Sequence, residues 1–275
     1  EMIDALSVRI EKEPRRAELY LQRGEMYREH GDWDGAMADF ERAARLDPDL
    51  AGLDLARGRT LLDAGWVQFA ELVLTSYVGG YPTDARGHDL LGEALERRAR
   101  FLPAAAEFAK AIETDPQPTP ERYIAQARAL AAAGEEHVPE ALAALDAGIR
   151  RLGKPIVSVQ VVAIDLELRR RNYDAALARV QTLADQSARK EQWHFRRGDV
   201  LRRAGRADEA REAYRQALAA IDKLSPARRQ TPSVRELAAN ARAALEELTP
   251  ASAATRPAPS KEQSDANKST AQSER

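Results

Sequence analysis

The segment with the most enzyme-like spacing runs from Gly148 to Pro155. Its two glycines and Lys154 keep the spacing of a phosphate-binding loop, in which backbone amides and a lysine hold phosphate groups. However, Pro155 stands where the magnesium-binding hydroxyl should be, and the segment ends a helix instead of joining a strand to one. We therefore interpret Gly153 as a helix terminator and predict no nucleotide site.

Residue types that ligate metals or act as nucleophiles are scattered along the chain. No two histidines stand three or four residues apart; they are His30, His88, His137 and His194. The chain has no cysteine, which excludes disulfides, thiolate zinc sites and thiol nucleophiles. A serine nucleophile elbow is also missing, and paired glutamates at 135–136 and 246–247 are typical of solvated helix faces. The sequence predicts no catalytic residue, no metal site and no cofactor.

Composition narrows the classes of partner. The 275 residues include 42 basic and 44 acidic residues, for a net charge of −2, which lacks the basic excess of a nucleic-acid-binding protein. No apolar run reaches the roughly 18 residues that a membrane span needs. Arginine outnumbers lysine, as in proteins of GC-rich bacterial genomes. We expect neither a nucleic-acid partner nor a membrane span.

The elements that would position any site follow a repeat of 34 residues. Four residue types keep this spacing: prolines, glycines, alanines and a bulky apolar residue. They are Pro14, Pro48, Pro82 and Pro116; Gly24, Gly58 and Gly92; Ala36, Ala70 and Ala104; and Phe40, Leu74 and Phe108. Glycine inside a helix costs about 1 kcal/mol relative to alanine, so its recurrence indicates close packing against a second helix. Such a period is typical of stacked helix pairs.

The register continues with small shifts after Pro116. Ala141, Ala176 and Ala210 follow Ala104 at spacings of 37, 35 and 34, and the excess of three indicates an inserted loop at 134–139. Gln126 and Ile164 occupy the position where earlier repeats have a small residue, so we expect looser or rotated packing there. Residues 156–168 are rich in β-branched side chains and locally favour a strand. The surrounding array favours a helix, and we predict one.

The two ends differ from the repeats. Residues 1–16 are predicted to form a helix that is either a cap or half of a repeat. About six helix pairs are predicted over 17–224. Residues 232–248 are predicted to form a capping helix, with Ser233 available as N-cap and Glu236 completing a capping box. Residues 249–275 contain no large apolar side chain, and we expect them to be disordered.

The first unit, from Ala17-Glu-Leu-Tyr-Leu-Gln-Arg-Gly24 through Gly31-Asp-Trp33 to Leu46-Asp-Pro48, resembles the tetratricopeptide repeat family. The resemblance covers roughly 14–224 and implies an all-α fold, a right-handed superhelical solenoid of antiparallel helix pairs. In this family the first helices of successive pairs line a concave groove. The outward positions implied by the resemblance are Leu21, Glu25, Arg28, Leu55, Arg59, Arg86, Asp89, Glu93, Tyr123, Val161, Asp165, Phe195, Asp199 and Arg202.

The resemblance implies a non-catalytic scaffold that binds a peptide or partner protein in this groove, not an enzyme. Family members that grip acidic chaperone termini use basic and amide side chains at positions that here hold Leu21, Glu25, Ala56 and Leu90. Only Arg86 is basic, so we do not expect that ligand. An alternative is the regulatory or substrate-recruiting region of an enzyme whose catalytic domain precedes Glu1. RNA binding is disfavoured by the charge balance.

Two features of the sequence bear on the compartment of the protein. The absence of an initiator methionine and of cysteine slightly favours a bacterial periplasmic or envelope protein, after removal of a leader, over a cytoplasmic one.

Overall fold

A computed structural model describes residues 1–248, so the predicted disordered tail, 249–275, lies outside the described residues. The described chain forms two compact units, Glu1–Leu183 and a second that begins at Ala184. Its fifteen α-helices are α1 (Met2–Lys12), α2 (Ala17–Glu29), α3 (Trp33–Leu46), α4 (Leu53–Asp63), α5 (Val67–Gly80), α6 (Ala85–Arg97), α7 (Phe101–Thr114), α8 (Pro120–Ala133), α9 (Val138–Leu152), α10 (Val157–Arg169), α11 (Tyr173–Gln186), α12 (Lys190–Arg203), α13 (Ala207–Asp222), α14 (Pro226–Arg229) and α15 (Pro232–Leu248).

Consecutive helices from α2 to α13 follow one another as pairs, and the described residues contain no strand. Within a pair the turn is short, and one residue of it has a positive φ angle. Asp32 then caps α3 by accepting a hydrogen bond from the Gly35 amide at 2.9 Å. The all-α repeat fold predicted from the sequence is confirmed.

The left-handed turn residue recurs with the repeat. Gly31, Gly65 and Gly205 have φ angles of 79°, 78° and 75°, a region that glycine enters without a steric penalty. The third pair has Ala99 at this position with φ 55°, and the fifth has Arg171 with φ 57°. The turn geometry is therefore kept even where the residue type opposes it.

The irregular part of the sequence is also helical. Residues 135–137 form a single 3-10 turn before α9, which accounts for the three extra residues in the fourth pair. Gly153 ends α9 with a left-handed φ of 70°, and this is the helix terminator predicted for the segment that resembles a phosphate loop. The β-branched segment 156–168 lies almost entirely in α10, as predicted.

The core of each unit is built from the inward faces of these helices. In the first unit, one apolar cluster extends from Leu61 to Leu166, and a smaller one joins Leu6 and Ile10 of α1 to α2, α3 and α4. In the second unit, α13 and α15 meet at a cluster that contains Ile221 and Val234. One side of each first helix is thus buried in the core, and the opposite side can line a surface of the protein.

Candidate partner-binding groove

Close contacts between a glycine and a bulky side chain fix the two helices of a pair. A Cβ atom built on Gly24, Gly58 or Gly92 would lie 2.5, 2.5 or 2.7 Å from the nearest side-chain carbon of the second helix. Those side chains belong to Phe40, Leu74 and Phe108. In the second unit, Gly198 and Tyr214 make the same contact at 2.6 Å. The residues that define the repeat in the sequence therefore touch one another in the structure.

The fourth pair makes this contact with the two residue types exchanged. Tyr123 of α8, in the first helix, packs on Gly148 of α9, in the second, and a Cβ on Gly148 would lie 2.7 Å from the ring. Tyr123 is only 3% exposed. The prediction that Tyr123 lines the groove is wrong, because its ring fills the space between the two helices of its own pair.

Six of the predicted positions lie together in a cleft of about 330 Å³ formed by α2, α4 and α6. The apolar lining comes from Leu55, Ala56 and Leu90. The charged lining comes from Glu25, Arg28, Arg59, Arg86 and Asp89. The groove positions that the family resemblance implies for these three helices therefore lie on one continuous surface.

A second cleft of about 350 Å³ continues this surface across α4, α6 and α8. Arg59, Asp89 and Leu90 line both clefts, so the two are parts of one groove. Glu93 is the other predicted residue here. The remaining lining residues were not predicted: Glu96, Phe108, Thr119, Glu121, Arg122 and Ala125.

Ion pairs neutralise part of the charge along the groove. Arg28 donates to Asp63 at 2.8 Å, and Arg59 lies 3.8 Å from the same carboxylate. On the other side of α6, Asp89 is bound by Arg122 at 2.7 Å. Arg122 also contacts Asp115, so its side chain is 13% exposed and held from two directions. These cross-helix pairs position the first helices relative to one another.

Two salt-bridged arginines flank the groove. Arg86 binds Asp84, the N-cap of α6, at 2.7 Å. This arginine is the largest cause that lowers the pKa of Asp84 well below its usual range. Arg97 binds Glu93 at 2.6 Å and donates to the Leu62 carbonyl oxygen at 2.6 Å, which ties α6 to the end of α4. Neither arginine is an unpaired charge.

Three groove carboxylates form no ion pair within residues 1–248: Glu25, Glu96 and Glu121. Glu96 is half-buried, and burial raises its pKa above the usual value. The neighbouring Glu93 adds to this rise, while Arg128 opposes it. The α6–α8 side of the groove therefore holds carboxylates that form no ion pair within the described residues, although Arg128 partly offsets the charge of Glu96.

The remaining predicted positions lie elsewhere. Leu21 is half-buried against the N-terminal apolar cluster and does not line either cleft. On α10, Val161 is half-buried and Asp165 is exposed. These three residues are not part of the groove defined by the two clefts.

In the second unit the predicted residues of α12 contact the neighbouring helices α13 and α15. The Phe195 ring lies 5.5 Å from that of Tyr214, and Asp199 accepts a hydrogen bond from the Tyr214 hydroxyl at 2.8 Å. Burial, followed by this hydrogen bond, raises the pKa of Tyr214. Arg202 pairs with Glu247 of α15 at 3.1 Å. All three therefore support the packing of this unit.

Two signals in the sequence could have found part of the missed lining. Glu96 stands four residues after Gly92, the same register position that Arg28 holds after Gly24. Glu121 and Ala125 are four residues apart on α8 and share a helix face. The pairing of Arg122 with Asp89 has no such signal, because it depends on how α8 packs beside α6.

Other chemistry-bearing groups serve the fold. His88 is 3% exposed; its Nδ1 lies 2.6 Å from the Glu107 carboxylate and its Nε2 3.0 Å from the Pro82 carbonyl oxygen. Among residues 1–248 there is no group of three or more potential metal ligands. No helix in that range is long and apolar enough to cross a membrane.

Comparisons with known proteins identify tetratricopeptide repeats in two segments of the chain. Residues 17–50 and 162–226 each match a family model described as tetratricopeptide repeat. A tetratricopeptide repeat protein from Parabacteroides merdae is 16% identical, with 84% of this chain and 93% of that chain covered and a TM-score of 0.55. The pilF structure from Pseudomonas aeruginosa is 18% identical, with 82% and 97% covered and a TM-score of 0.51. These likenesses show the fold.

The search of curated proteins found no significant match. The family matches fall on helix pairs that carry the repeat register, and the solved structures share the fold. Tetratricopeptide repeats are therefore present at residues 17–50 and 162–226, within a chain that has the all-α repeat fold.

Proposed function

We propose that this protein is a non-enzymatic interaction scaffold that binds an extended segment of a partner protein along α2, α4, α6 and α8. Tetratricopeptide repeats support a protein-interaction role in general. The observation that carries the specific proposal is the continuity of the groove, because Arg59, Asp89 and Leu90 line both of its clefts.

The lining suits a peptide in composition. Apolar side chains such as Leu55 and Leu90 are flanked by charges of both signs, as in interfaces with an apolar centre and a polar rim. An extended segment can place alternate side chains on such a surface and its polar backbone along the rim.

The groove is also pre-organised. Glycine contacts inside each pair and ion pairs between first helices, such as Asp89 with Arg122, hold the lining in place before a partner arrives. Binding then loses less conformational freedom than it would on a mobile surface. This rigidity supports recognition by shape and charge.

Selection of a displayed library of random 12-residue peptides on the immobilised protein tests the proposal. Leu55→Asp places a charge on the groove floor and should reduce recovery of bound peptides about tenfold or more. Leu72→Asp is the matched control, because Leu72 is 72% exposed on α5, a second helix. It should leave recovery unchanged.

Arg59→Glu provides a second groove variant for the case in which Leu55→Asp unfolds the chain. Arg59 is exposed and makes only a 3.8 Å ion pair, so its replacement should leave the melting temperature almost unchanged. Recovery that is unaffected by both groove variants, or no recovery by the wild type, would contradict the proposal.

A further inference from the structure

The two clefts of the groove carry opposite formal charge. The α2–α4–α6 cleft is lined by Arg28, Arg59 and Arg86 against Glu25 and Asp89. The α4–α6–α8 cleft is lined by four carboxylates against two arginines; the carboxylates are Asp89, Glu93, Glu96 and Glu121, and the arginines are Arg59 and Arg122. A partner that matches this surface needs a different charge at each end.

Ion pairs within the protein neutralise most of the positive charge of the α2–α4–α6 cleft. Arg28 and Arg59 face Asp63, and Arg86 binds Asp84. An acidic partner group would therefore compete with carboxylates of the protein itself. The cleft on the α2 side offers little unneutralised positive charge.

The negative side keeps two carboxylates without an ion pair among residues 1–248, whereas Asp89 binds Arg122 and Glu93 binds Arg97. Arg122 is committed to Asp89 and Asp115, while Glu96 and Glu121 form no ion pair within the described part of the chain. Glu96 is also half-buried beside Glu93, where a carboxylate loses hydration and faces a like charge; Arg128 offsets only part of this cost, because the pKa of Glu96 is still raised. A cation supplied from outside would relieve both costs.

An apolar floor lies directly beside these carboxylates. Leu90 and Phe108 are 7% and 5% exposed, and together with Ala125 they line the same cleft as Glu96. A bound side chain on this floor would be desolvated, and its neighbour would reach the acidic rim. The combination selects an apolar residue next to a basic one.

We infer that the groove recognises a protein segment in which an apolar side chain lies beside a lysine or arginine, with the apolar group over Leu90 and Ala125 and the cation between Glu96 and Glu121. This inference rests on the proposed function of the groove. It names the chemistry of the partner: an apolar and basic segment, in contrast to an acidic one.

The same peptide library tests it on three proteins. These are the wild type, the groove variant E96Q/E121Q and the control variant E113Q/E246Q. Both variants remove two negative charges, but Glu113 lies on α7 and Glu246 on α15, outside the lining of either cleft. Glutamine keeps the size of glutamate, and melting curves verify that all three proteins are folded.

We expect the wild type and the control to enrich lysine or arginine next to apolar residues. The groove variant should lose the basic enrichment and keep the apolar one. A synthetic peptide of the wild-type consensus should bind E96Q/E121Q about tenfold more weakly than the control, as for the loss of a charged hydrogen-bonded contact.

The outcomes separate this inference from the proposed function. If the wild type enriches acidic peptides, or if E96Q/E121Q enriches the same basic peptides as the control, the inference is overturned while peptide binding stands. If the wild type enriches no peptide, the groove function itself fails and the inference fails with it. Enrichment that is lost equally in both variants would also contradict a role for Glu96 and Glu121.

Discussion

The third and fourth helix pairs make the same contact with opposite partners. In the third, Gly92 of the first helix receives Phe108 of the second; in the fourth, Tyr123 of the first helix packs on Gly148 of the second. What the fold requires is therefore one small and one large residue where the helices cross. Either helix can supply either one.

The exchange also changes the groove. Because Tyr123 packs between the two helices of its own pair, α8 lines the cleft with Ala125, Glu121 and Arg122 instead of an aromatic ring. A packing difference inside the fourth pair thus determines the chemistry of the surface beside it. This connects the irregular part of the repeat to the acidic side of the groove.

Overpacking of the glycines should produce the largest effect and tests the exchange directly. Gly92→Leu and Gly148→Leu each push a side chain into a ring that lies 2.7 Å from the Cβ position, and each should lower the free energy of unfolding by about 3 kcal/mol. Gln126→Leu, at the half-buried fourth-pair position that aligns with Gly92, should change it by less than about 1 kcal/mol.

Urea denaturation of the three variants measures this ranking. If Gln126→Leu destabilises the protein as much as Gly92→Leu does, the fourth pair is not exchanged. Phe108→Ala in the Gly92→Leu background should restore part of the lost stability, because it removes the side chain that the new leucine meets.

The next effect in size is a difference between the hydroxyl groups of Tyr214 and Tyr123 in their contribution to stability. Tyr214 packs on Gly198 and donates to Asp199 at 2.8 Å, whereas the buried Tyr123 hydroxyl has no hydrogen-bond partner among the described residues. Tyr214→Phe should therefore cost about 1 kcal/mol of stability, and Tyr123→Phe should be neutral or stabilising. Thermal melting of both variants measures the difference; a larger loss for Tyr123→Phe would contradict it.

The turns offer a smaller test within the repeats. Ala99 has a left-handed φ of 55° where Gly65 has 78°, and glycine adopts this region without a Cβ clash. Ala99→Gly should raise the free energy of unfolding by up to about 1 kcal/mol, and Gly65→Ala should lower it by a similar amount. Equal signs for the two changes in urea denaturation would argue against the shared turn geometry.

A test that needs alkaline pH concerns a contact between neighbouring pairs. Tyr77 of α5 packs on Gly87 of α6, and its hydroxyl donates to Asp84 at 2.6 Å. Burial and this hydrogen bond raise the pKa of Tyr77 to about 12 from the ordinary 10.0. Because the folded state holds the proton more tightly, its contribution to stability is complete below pH 10 and is lost as the pH rises toward 12.

Melting temperatures measured between pH 9 and pH 12 test this sign. Wild type should lose more stability across that range than Tyr77→Phe, which has no proton to release. Parallel curves for the two proteins would show that the hydroxyl contributes nothing to the contact.

The sequence was sufficient for the parts of the fold that depend on spacing. Glycine, alanine and bulky residues in phase locate the pairs, and array context places 156–168 in a helix against its local preference. The exchange at Tyr123 was not predicted because the register assigns the first-helix contact of the fourth pair to Gln126, whereas Tyr123 makes it about one helical turn earlier. Only the paired geometry reveals it.

The groove was predictable in outline for a similar reason. The family positions place Leu55, Arg59 and Asp89 on the surface of the first helices, and they line the clefts. Which charges are neutralised depends on pairs such as Arg122 with Asp89, 33 residues apart, and on the burial of Glu96. Those properties follow from the packing of α6 against α8, which spacing alone does not describe.

Site-specific photocrosslinking tests most directly whether the groove is the binding surface. A photoreactive phenylalanine analogue placed at position 55 reports on the groove, and the same analogue at the exposed position 72 of α5 is the control. With a peptide selected on the wild type, we predict crosslinking at position 55 that an excess of unlabelled peptide abolishes, and none at position 72. Crosslinking at position 72 alone, or equally at both positions, would contradict binding in the groove.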